Sequence, residues 1–287
     1  MSNEEKKLTI KRIIIFMILA YIPNYVLEIA FSDHGGGMTS GAAGFTVMIY
    51  PALANILTRI ITKEGVEEHY LKAHFGKNKR MYTIAALLPL VWGLLNLFAA
   101  HFLFDSSTDM GALLKENTEG AGMKGFIPIV LMAYITSIPL IFMGFGEEFG
   151  WRAYLTPKLE KLMPRGAACC VTGVIWAVWH APLIWYGYDF GRDYPGFPYV
   201  GILAMCAVCI PLSYMLTWMT EKTKSVYPAA ICHMAIDKVM NLSVVAMVSK
   251  EVLKNNSLLL GLLSIGLIPT IVSAAIVISK RSAPKKA

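Results

Sequence analysis

Three clusters of ionisable and aromatic side chains interrupt stretches of this sequence that are otherwise apolar. They consist of Glu147, Glu148 and Arg152, then Trp176 and His180, then His233, Asp237 and Asn241. A charged side chain at the centre of a lipid bilayer costs about 2.5–3.5 kcal/mol even on a lenient insertion scale, so such residues are candidates for function. Carboxylates and imidazoles brought together favour general acid–base chemistry.

Helical spacing separates the two acids of the first cluster. Glu148 and Arg152 are four residues apart and share one face of a helix, where an ion pair is expected. Glu147 points about 140° away from Arg152, at about 100° per residue. We therefore predict that Arg152 neutralises Glu148, and that Glu147, which has no helical counter-ion, is suited to act as a general base.

The other two clusters carry the histidines. Pro182 follows His180 by two residues and has no N–H to donate, so the helix is predicted to kink or break beside His180. His233 and Asp237 are four residues apart, which lets the carboxylate fix the tautomer of the imidazole. Asn241 lies one turn further along the same stripe and is a candidate hydrogen-bond donor.

The composition defines the class of protein that must position these clusters. Of 287 residues, 56% are hydrophobic and 16% are charged, whereas average soluble domains have roughly 45–50% apolar and about 25% charged residues. The net charge of +7 is typical of cytoplasmic loops and does not require a nucleic-acid partner. We predict an all-α, polytopic membrane helical bundle surrounded by membrane lipids, with no nucleic-acid partner.

Apolar runs long enough to cross a bilayer, at about 20 residues each, occur eight times. They cover residues 9–31, 39–62, 82–104, 126–158, 166–186, 198–219, 225–248 and 257–279. The sequence has no internal repeat and no soluble domain. The chain is therefore predicted to form one integral-membrane domain, 1–287, with about eight transmembrane helices and a catalytic core at 126–248.

The distribution of Lys and Arg predicts the orientation. Of 26 such residues, 19 fall in one alternating set of segments and 5 in the other; the richer set is the N-terminus, 63–81, 147–165, 220–224 and the C-terminal tail. Under the positive-inside rule both termini then lie in the cytoplasm.

Depth links the three clusters. At about 1.5 Å per residue from the nearest basic residue on the cytoplasmic side, Glu147, His180 and His233 lie about 16, 22 and 13 Å inside the membrane. Three spans thus place polar groups at middle depths, which predicts one shared cavity reachable from the cytosol.

The ordered set EExxxR, aromatic-xxxHis and HxxxD, each on its own apolar span, resembles the CAAX-protease and bacteriocin-processing (Abi) family of intramembrane endopeptidases. The residues that match are Glu147, Glu148, Arg152, Trp176, His180, His233 and Asp237. The resemblance implies a conical cavity open to the cytosol, and cleavage of the peptide bond by an activated water without a covalent acyl-enzyme. It also implies a multi-pass protein of the plasma membrane that acts on a hydrophobic or lipidated peptide or protein.

Carried over residue by residue, the resemblance assigns roles. Glu147 and His180 would activate the water, Glu148 and Arg152 would support Glu147, and His233 with Asp237 would stabilise the oxyanion. Apart from these assigned roles, we predict that Trp176 and Asn241 contact the substrate. Two positions depart from the family: Trp176 replaces its usual Phe, and Asp237 stands where prenyl-protein proteases carry Asn. An ionised Asp237 cannot donate to an oxyanion, so it would have to be protonated or else orient His233.

Other classes of function stay open at this point. No GxSxG or HExxH motif is present, which disfavours a serine hydrolase or a zincin. No metal is predicted, although zinc held by Glu147, His180 and His233 is an alternative. A transporter would be expected to show paired repeats, which this sequence lacks. A non-catalytic bacteriocin-immunity or scaffold protein could retain the same fold.

Overall fold

The long apolar runs fold into helices. The computed structural model describes residues 1–32, 47–66, 69–187, 189–245 and 248–263. Within these ranges every regular element is helical. In chain order the helices are α1 (Asn3–Ser32), α2 (Tyr50–Ile61), α3 (Phe75–Phe104), α4 (Met110–Asn117), α5 (Met123–Gly150), α6 (Thr156–Glu160), α7 (Arg165–Trp179), α8 (Ala181–Trp185), α9 (Tyr199–Thr223), α10 (Tyr227–Val245) and α11 (Lys250–Asn255).

Four helices in the described part of the chain are long and apolar enough to cross a membrane. They are α1, α3, α9 and the continuous helix Met123–Glu160 that contains α5 and α6. Large apolar side chains lie exposed along their outer faces, as a lipid environment requires. The chain is therefore a helical integral membrane protein, as the composition predicted.

The predicted count of eight spans stays a prediction. Of the second predicted span, 39–62, residues 39–46 lie outside the described residues, and α2 covers 12 residues of the remainder. Of the eighth, 257–279, only 257–263 are described, and they are helical. Helix α10 has 19 residues and occupies most of the predicted span 225–248.

One helix is much longer than a bilayer is thick. Met123–Glu160 has 38 residues, or about 57 Å at about 1.5 Å per residue. It contains a π-helical turn, Trp151–Leu155, between α5 and α6. The Thr156 hydroxyl donates to the Trp151 carbonyl across this turn at 2.9 Å. Single π turns inside α-helices are frequent at functional sites, and this one directly follows Glu147 and Glu148.

The predicted break beside His180 is confirmed. Helix α7 ends at Trp179, and a short helix, α8, starts at Ala181. With 15 residues, α7 is about 22 Å long at about 1.5 Å per residue. It is therefore shorter than a hydrocarbon core about 30 Å thick, and His180 lies at its end.

Glycines let the helices approach closely around α5. A Cβ atom added at Gly146 would lie 2.6 Å from the Met48 carbonyl oxygen, and one at Gly150 would lie 2.4 Å from Pro51. Both glycines thus face the α2 region, in the small-xxx-small spacing common in membrane helix pairs. Helix α5 also packs against α10, which in turn packs against α3 and α9, while α7 packs against α9.

Candidate active site

The structure brings the three polar clusters together. Glu147 and Glu148 lie at the end of α5, and Arg152 lies in the π turn that follows. Trp176 and His180 lie at the end of α7, and His233 and Asp237 lie on α10. Three segments that are far apart in the sequence therefore lie close together, and the shared cavity that the depth argument predicts stays a prediction.

Glu147 is held by two indole groups. Trp176 Nε1 donates to Glu147 Oε2 at 2.6 Å, and Trp151 Nε1 donates to the same oxygen at 3.3 Å. The side chain is buried. Within the described residues no donor reaches Oε1 and no cation pairs with the carboxylate. One oxygen is thus fixed, and the other is left to accept a proton.

Trp176 connects the catalytic candidates to one another. Its ring lies 4.2 Å from the Arg152 guanidinium carbon, a cation–π contact. Its centroid lies 5.2 Å from that of His233 and 6.0 Å from that of His180. The side chain is buried. This position makes Trp176 a positioning group for the site, a role that the predicted substrate contact did not include.

Glu148 joins Arg152 to His233. Arg152 Nη1 donates to Glu148 Oε1 at 2.9 Å, which is the predicted pair. His233 Nδ1 lies 2.8 Å from the same oxygen, a contact across 85 residues of sequence. All three side chains are buried. Glu148 therefore orients His233, whereas the resemblance had assigned it to support Glu147.

Asp237 lies on the other side of His233. Its Oδ2 is 3.6 Å from His233 Nε2, which is an ion-pair distance but too long for a hydrogen bond. Its side chain is 42% exposed, unlike the buried side chains of Glu147 and Glu148. Asp237 is thus the accessible carboxylate of the site, and Glu148 is the one that fixes the imidazole.

His180 has a defined tautomer. Its Nδ1 lies 2.8 Å from the Trp176 carbonyl oxygen, and a carbonyl can only accept a hydrogen bond. The proton of the neutral ring therefore resides on Nδ1, and Nε2 carries a lone pair. This arrangement suits Nε2 to accept a proton from a water molecule or to bind one by a hydrogen bond.

Helix α2 supports the backbone beside Glu148. Asn55 Nδ2 donates to the Phe149 carbonyl at 2.8 Å, and Arg59 Nε donates to Asn55 Oδ1 at 2.8 Å. Both Asn55 and Arg59 are buried. The end of α5 is thus held by polar contacts that no motif in the sequence indicated.

An open groove lies next to the site. It has a volume of about 580 Å³ and lies between Pro128, Ile129 and Met132 of α5 and Asp237 and Lys238 of α10. Most of its wall is apolar, and Asp237 places a carboxylate beside it. The groove can accommodate an apolar chain with a polar end.

Two residues near the site escaped the sequence argument. Trp151 is four residues after Glu147, so the helical spacing used for Glu148 and Arg152 could have identified it. Asp189 lies in the loop after α8 with φ of 66°. Desolvation by the surrounding protein, together with the charges of Asp237 and Glu147, raises the pKa of Asp189 to about 7. No sequence pattern placed this loop near the site.

The remaining predictions concern Asn241 and a metal. The side chain of Asn241 lies outside the described residues, so its role stays a prediction. In the described part of the chain, no three His, Cys, Asp or Glu side chains converge as a metal site requires. Zinc held by Glu147, His180 and His233 stays an open alternative.

Comparisons with known proteins find similarity over the segment that contains these side chains. Residues 128–239 match the family described as type II CAAX prenyl endopeptidase Rce1-like. CAAX prenyl protease 2 of Methanococcus maripaludis is 27% identical over 128 residues, which cover 39% of this chain and 39% of that protein. The chain thus matches about two fifths of the length of this curated relative. The matched segment contains every candidate catalytic residue from Glu147 to Asp237, and over this segment the chain is similar to type II CAAX prenyl endopeptidases.

Proposed function

We propose that this protein is a metal-independent intramembrane endopeptidase in which Glu147 and His180 activate a water molecule. The observation that carries the proposal is the state of Glu147. It is a buried carboxylate held at Oε2 by two indole N–H groups, with Oε1 open among the described residues. A positioned base of this kind contributes about 10²–10⁴-fold to a hydrolytic rate.

The reaction follows from the positions of the polar groups. Glu147 Oε1 takes a proton from water, with His180 Nε2 holding the same water by a hydrogen bond. The water oxygen bonds to the peptide carbon, and the carbonyl oxygen becomes an oxyanion. The proton on Glu147 then passes to the leaving amine as the C–N bond breaks. No covalent bond forms between enzyme and substrate.

His233 is suited to stabilise the oxyanion. Its Nδ1 contacts Glu148, so Nε2 can donate only if both ring nitrogens carry protons. Glu148 and Asp237 lie beside the two nitrogens and balance the charge of that imidazolium. Asp237 then does not have to donate a hydrogen bond to the oxyanion. The mechanism is therefore compatible with an ionised Asp at the position where prenyl-protein proteases carry Asn.

The groove beside Asp237 supports a membrane-associated substrate. Its apolar wall belongs to α5, one of the helices long enough to span the membrane. A hydrophobic or lipidated peptide could lie there with its polar backbone toward His233. The matched relative is named a CAAX prenyl protease, so prenylated peptides are the first substrates to examine, followed by hydrophobic peptides and leader-bearing bacteriocins.

The excess of Lys and Arg on one set of segments supports an orientation with both termini and the cavity mouth in the cytosol. Eight spans, a single domain over 1–287 and a plasma-membrane location belong to the same proposal. Reporter fusions at each predicted loop would test it. Cytosolic signals at 63–81 and 220–224 are expected, and an opposite signal at either loop would overturn the topology.

Cleavage by the purified protein tests the function. Wild type, Glu147→Gln and His180→Gln are reconstituted in liposomes with prenylated and unprenylated membrane-tethered peptides. Glu64→Gln serves as the matched control, because Glu64 is a buried carboxylate outside the site. In cells, membrane-protein termini that appear with wild type and not with Glu147→Gln identify substrates. Cleavage by Glu147→Gln at the wild-type rate would overturn the proposal.

Metal removal separates this mechanism from the zinc alternative. The proposal predicts full activity after dialysis against a chelator and metal analysis that finds less than one zinc per chain. Loss of activity that zinc restores would support the alternative. Wild-type protein that binds peptides but cleaves none would instead support a non-catalytic immunity or scaffold role.

A further inference from the structure

Helix α1 is hydrogen-bonded to the end of α7. The Tyr25 hydroxyl donates to the Val178 carbonyl at 2.7 Å, and Asn24 Nδ2 donates to the Trp179 carbonyl at 3.0 Å. In the reverse direction, Trp179 Nε1 donates to the Ala20 carbonyl at 3.1 Å. The Tyr21 hydroxyl adds a bond to the carbonyl of residue 175. All four bonds fall on the last turn and a half of α7.

These bonds fall where α7 loses its own donors. In a continuous helix the Val178 carbonyl would accept from the N–H of residue 182, but Pro182 has none. The Tyr25 hydroxyl supplies a donor to that oxygen. A helix end in a membrane must satisfy such groups within the protein, because no water reaches them from the lipid. Tyr25 and Asn24 therefore bind the carbonyl groups at the helix end that Pro182 imposes on α7.

The end of α7 determines the position of His180. His180 is the residue after Trp179, and its ring lies 5.0 Å from the Trp179 ring in an edge-to-face arrangement. Its Nδ1 contacts the Trp176 carbonyl, one turn earlier in the same helix. A shift of this last turn would move the imidazole and change the contact that fixes its tautomer.

We infer that Asn24 and Tyr25 of α1 are positioning residues for His180. The inference rests on the proposed function, because it takes His180 to act in the reaction. Helix α1 lies outside residues 128–239, the segment that carries the family match. A helix without a catalytic motif thus holds a catalytic histidine in place through backbone carbonyls.

The chain offers a matched control. The Tyr214 hydroxyl donates to the Gly166 carbonyl at 2.5 Å, at the opposite end of α7. Tyr25 and Tyr214 are both half-buried. Gly166 is 14 residues before His180, or about 21 Å along the helix at about 1.5 Å per residue. Tyr25→Phe and Tyr214→Phe therefore remove the same kind of bond from the same helix, near to and far from His180.

The first measurement is of His180 itself. Protein labelled with ¹⁵N-histidine is compared by NMR for wild type, Tyr25→Phe, Asn24→Leu/Tyr25→Phe and Tyr214→Phe, with His180→Gln to assign the signal. Wild type and Tyr214→Phe are expected to show the Nδ1-protonated tautomer. The double variant is expected to show a mixture of tautomers. An unchanged His180 signal in the double variant would overturn the inference.

The second measurement is of cleavage. A misplacement of about 1 Å in a catalytic group can lower a rate by about 10²-fold, so kcat is expected to fall by about tenfold or more in the double variant, with KM unchanged. Tyr214→Phe is expected to keep the wild-type kcat. If Tyr214→Phe lowers kcat as much as the double variant does, the α1 bonds are merely structural and the inference is wrong.

The two failures are distinguishable. If wild type cleaves nothing, the proposed function fails, whereas the NMR comparison still reports whether α1 sets the tautomer of His180. If wild type cleaves and the double variant has a wild-type kcat and His180 signal, the proposed function stands and the inference about α1 fails.

Discussion

Two clusters of buried charge differ in how completely their members are paired. The Glu64 cluster (Arg12, Glu64, Tyr154 and Lys158) joins α1, the segment after α2, the π turn and α6. Glu64 Oε2 accepts from Tyr154 at 3.0 Å and lies 3.3 Å from Arg12 Nε, while Oε1 pairs with Lys158. One carboxylate thus has two cations and a hydroxyl as partners.

The catalytic cluster (Glu147, Glu148, Arg152, His233 and Asp237) has the opposite balance. Its three carboxylates share one guanidinium and the His233 imidazole, and no salt bridge reaches Glu147 among the described residues. Glu148 Oε2, Arg152 Nε and Arg152 Nη2 are buried with no hydrogen-bond partner among the described residues. Proteins depart from complete pairing chiefly at functional sites. We propose that the Glu64 cluster serves stability and that the catalytic cluster serves chemistry.

The largest expected effect is the difference in kcat between variants of the two carboxylates, Glu147 and Glu64. Glu147→Gln is expected to lower kcat by about 10²–10⁴-fold, because an amide cannot accept the proton from water. Glu64→Gln is expected to leave kcat unchanged while lowering thermal stability. Cleavage rates and thermal midpoints of both variants provide the measurement. Equal losses of kcat would mean that the two clusters do not differ in role.

The second effect concerns the cations. Arg152→Met leaves Glu148 without its guanidinium in a buried site, and breaking such a pair typically costs about 3–5 kcal/mol of unfolding free energy. Lys158→Met is expected to cost less, about 1–3 kcal/mol, because Glu64 keeps Arg12 and Tyr154 as partners. Unfolding in mixed micelles measures both. A larger loss in Lys158→Met would contradict the difference in pairing.

The third effect tests the indole that holds Glu147. Trp176→Phe keeps a ring beside Arg152 but removes the N–H that reaches Glu147 at 2.6 Å. A hydrogen bond to a charged group is worth about 1.5–3 kcal/mol, and about 1.4 kcal/mol corresponds to tenfold in rate. We therefore expect kcat to fall by about 10- to 100-fold.

The control for this variant is Trp185→Phe. Trp185 is exposed and packs against the Tyr199 ring, so its replacement should leave kcat unchanged. A wild-type kcat in Trp176→Phe would mean that the indole N–H is dispensable, as the family's usual Phe at this position would allow.

The smallest effect is the pH dependence of stability in the Glu64 cluster. Burial acts to raise the pKa of Glu64, but the hydrogen bond and charge of Lys158, the Tyr154 hydroxyl and the charge of Arg12 outweigh it and lower the pKa below the ordinary value of 4.5. A carboxyl group with a lowered folded pKa contributes stability above its unfolded pKa, and that stability is lost as pH falls through the folded pKa.

This expectation is tested by measuring thermal midpoints as the pH falls from 6 to below 4.5, which is the ordinary pKa of a Glu side chain. Wild type should lose stability on acidification, and Glu64→Gln should lose less. The exposed Glu116→Gln should follow wild type. A Glu64→Gln curve parallel to that of wild type would contradict the prediction.

Local spacing explains which contacts could be predicted. The Glu148–Arg152 pair and the break at His180 depend on residues within one helical turn, and both were predicted from the sequence. The bond from Trp176 to Glu147 joins residues 29 apart, and that from His233 to Glu148 joins residues 85 apart. Spacing within one helix carries no information about such pairs, because they depend on how helices pack.

The sequence by itself determined the membrane class, the identity of the catalytic candidates and the faces of single helices on which they lie. Hydropathy and the period of about 3.6 residues are properties of the chain alone, and they need no knowledge of neighbouring helices. The ordered motifs also sufficed to indicate the resemblance to CAAX proteases that the partial match over residues 128–239 supports.

Only the tertiary structure determined which side chains form hydrogen bonds between different helices. It assigned Glu148 to His233, gave Glu147 its two indoles and joined α1 to the end of α7. The contact between Glu148 and His233 requires a close approach of α5 and α10, and Gly144 permits it: an added Cβ atom there would lie 2.9 Å from the Ala230 carbonyl oxygen. Only packing brings such groups within hydrogen-bond distance.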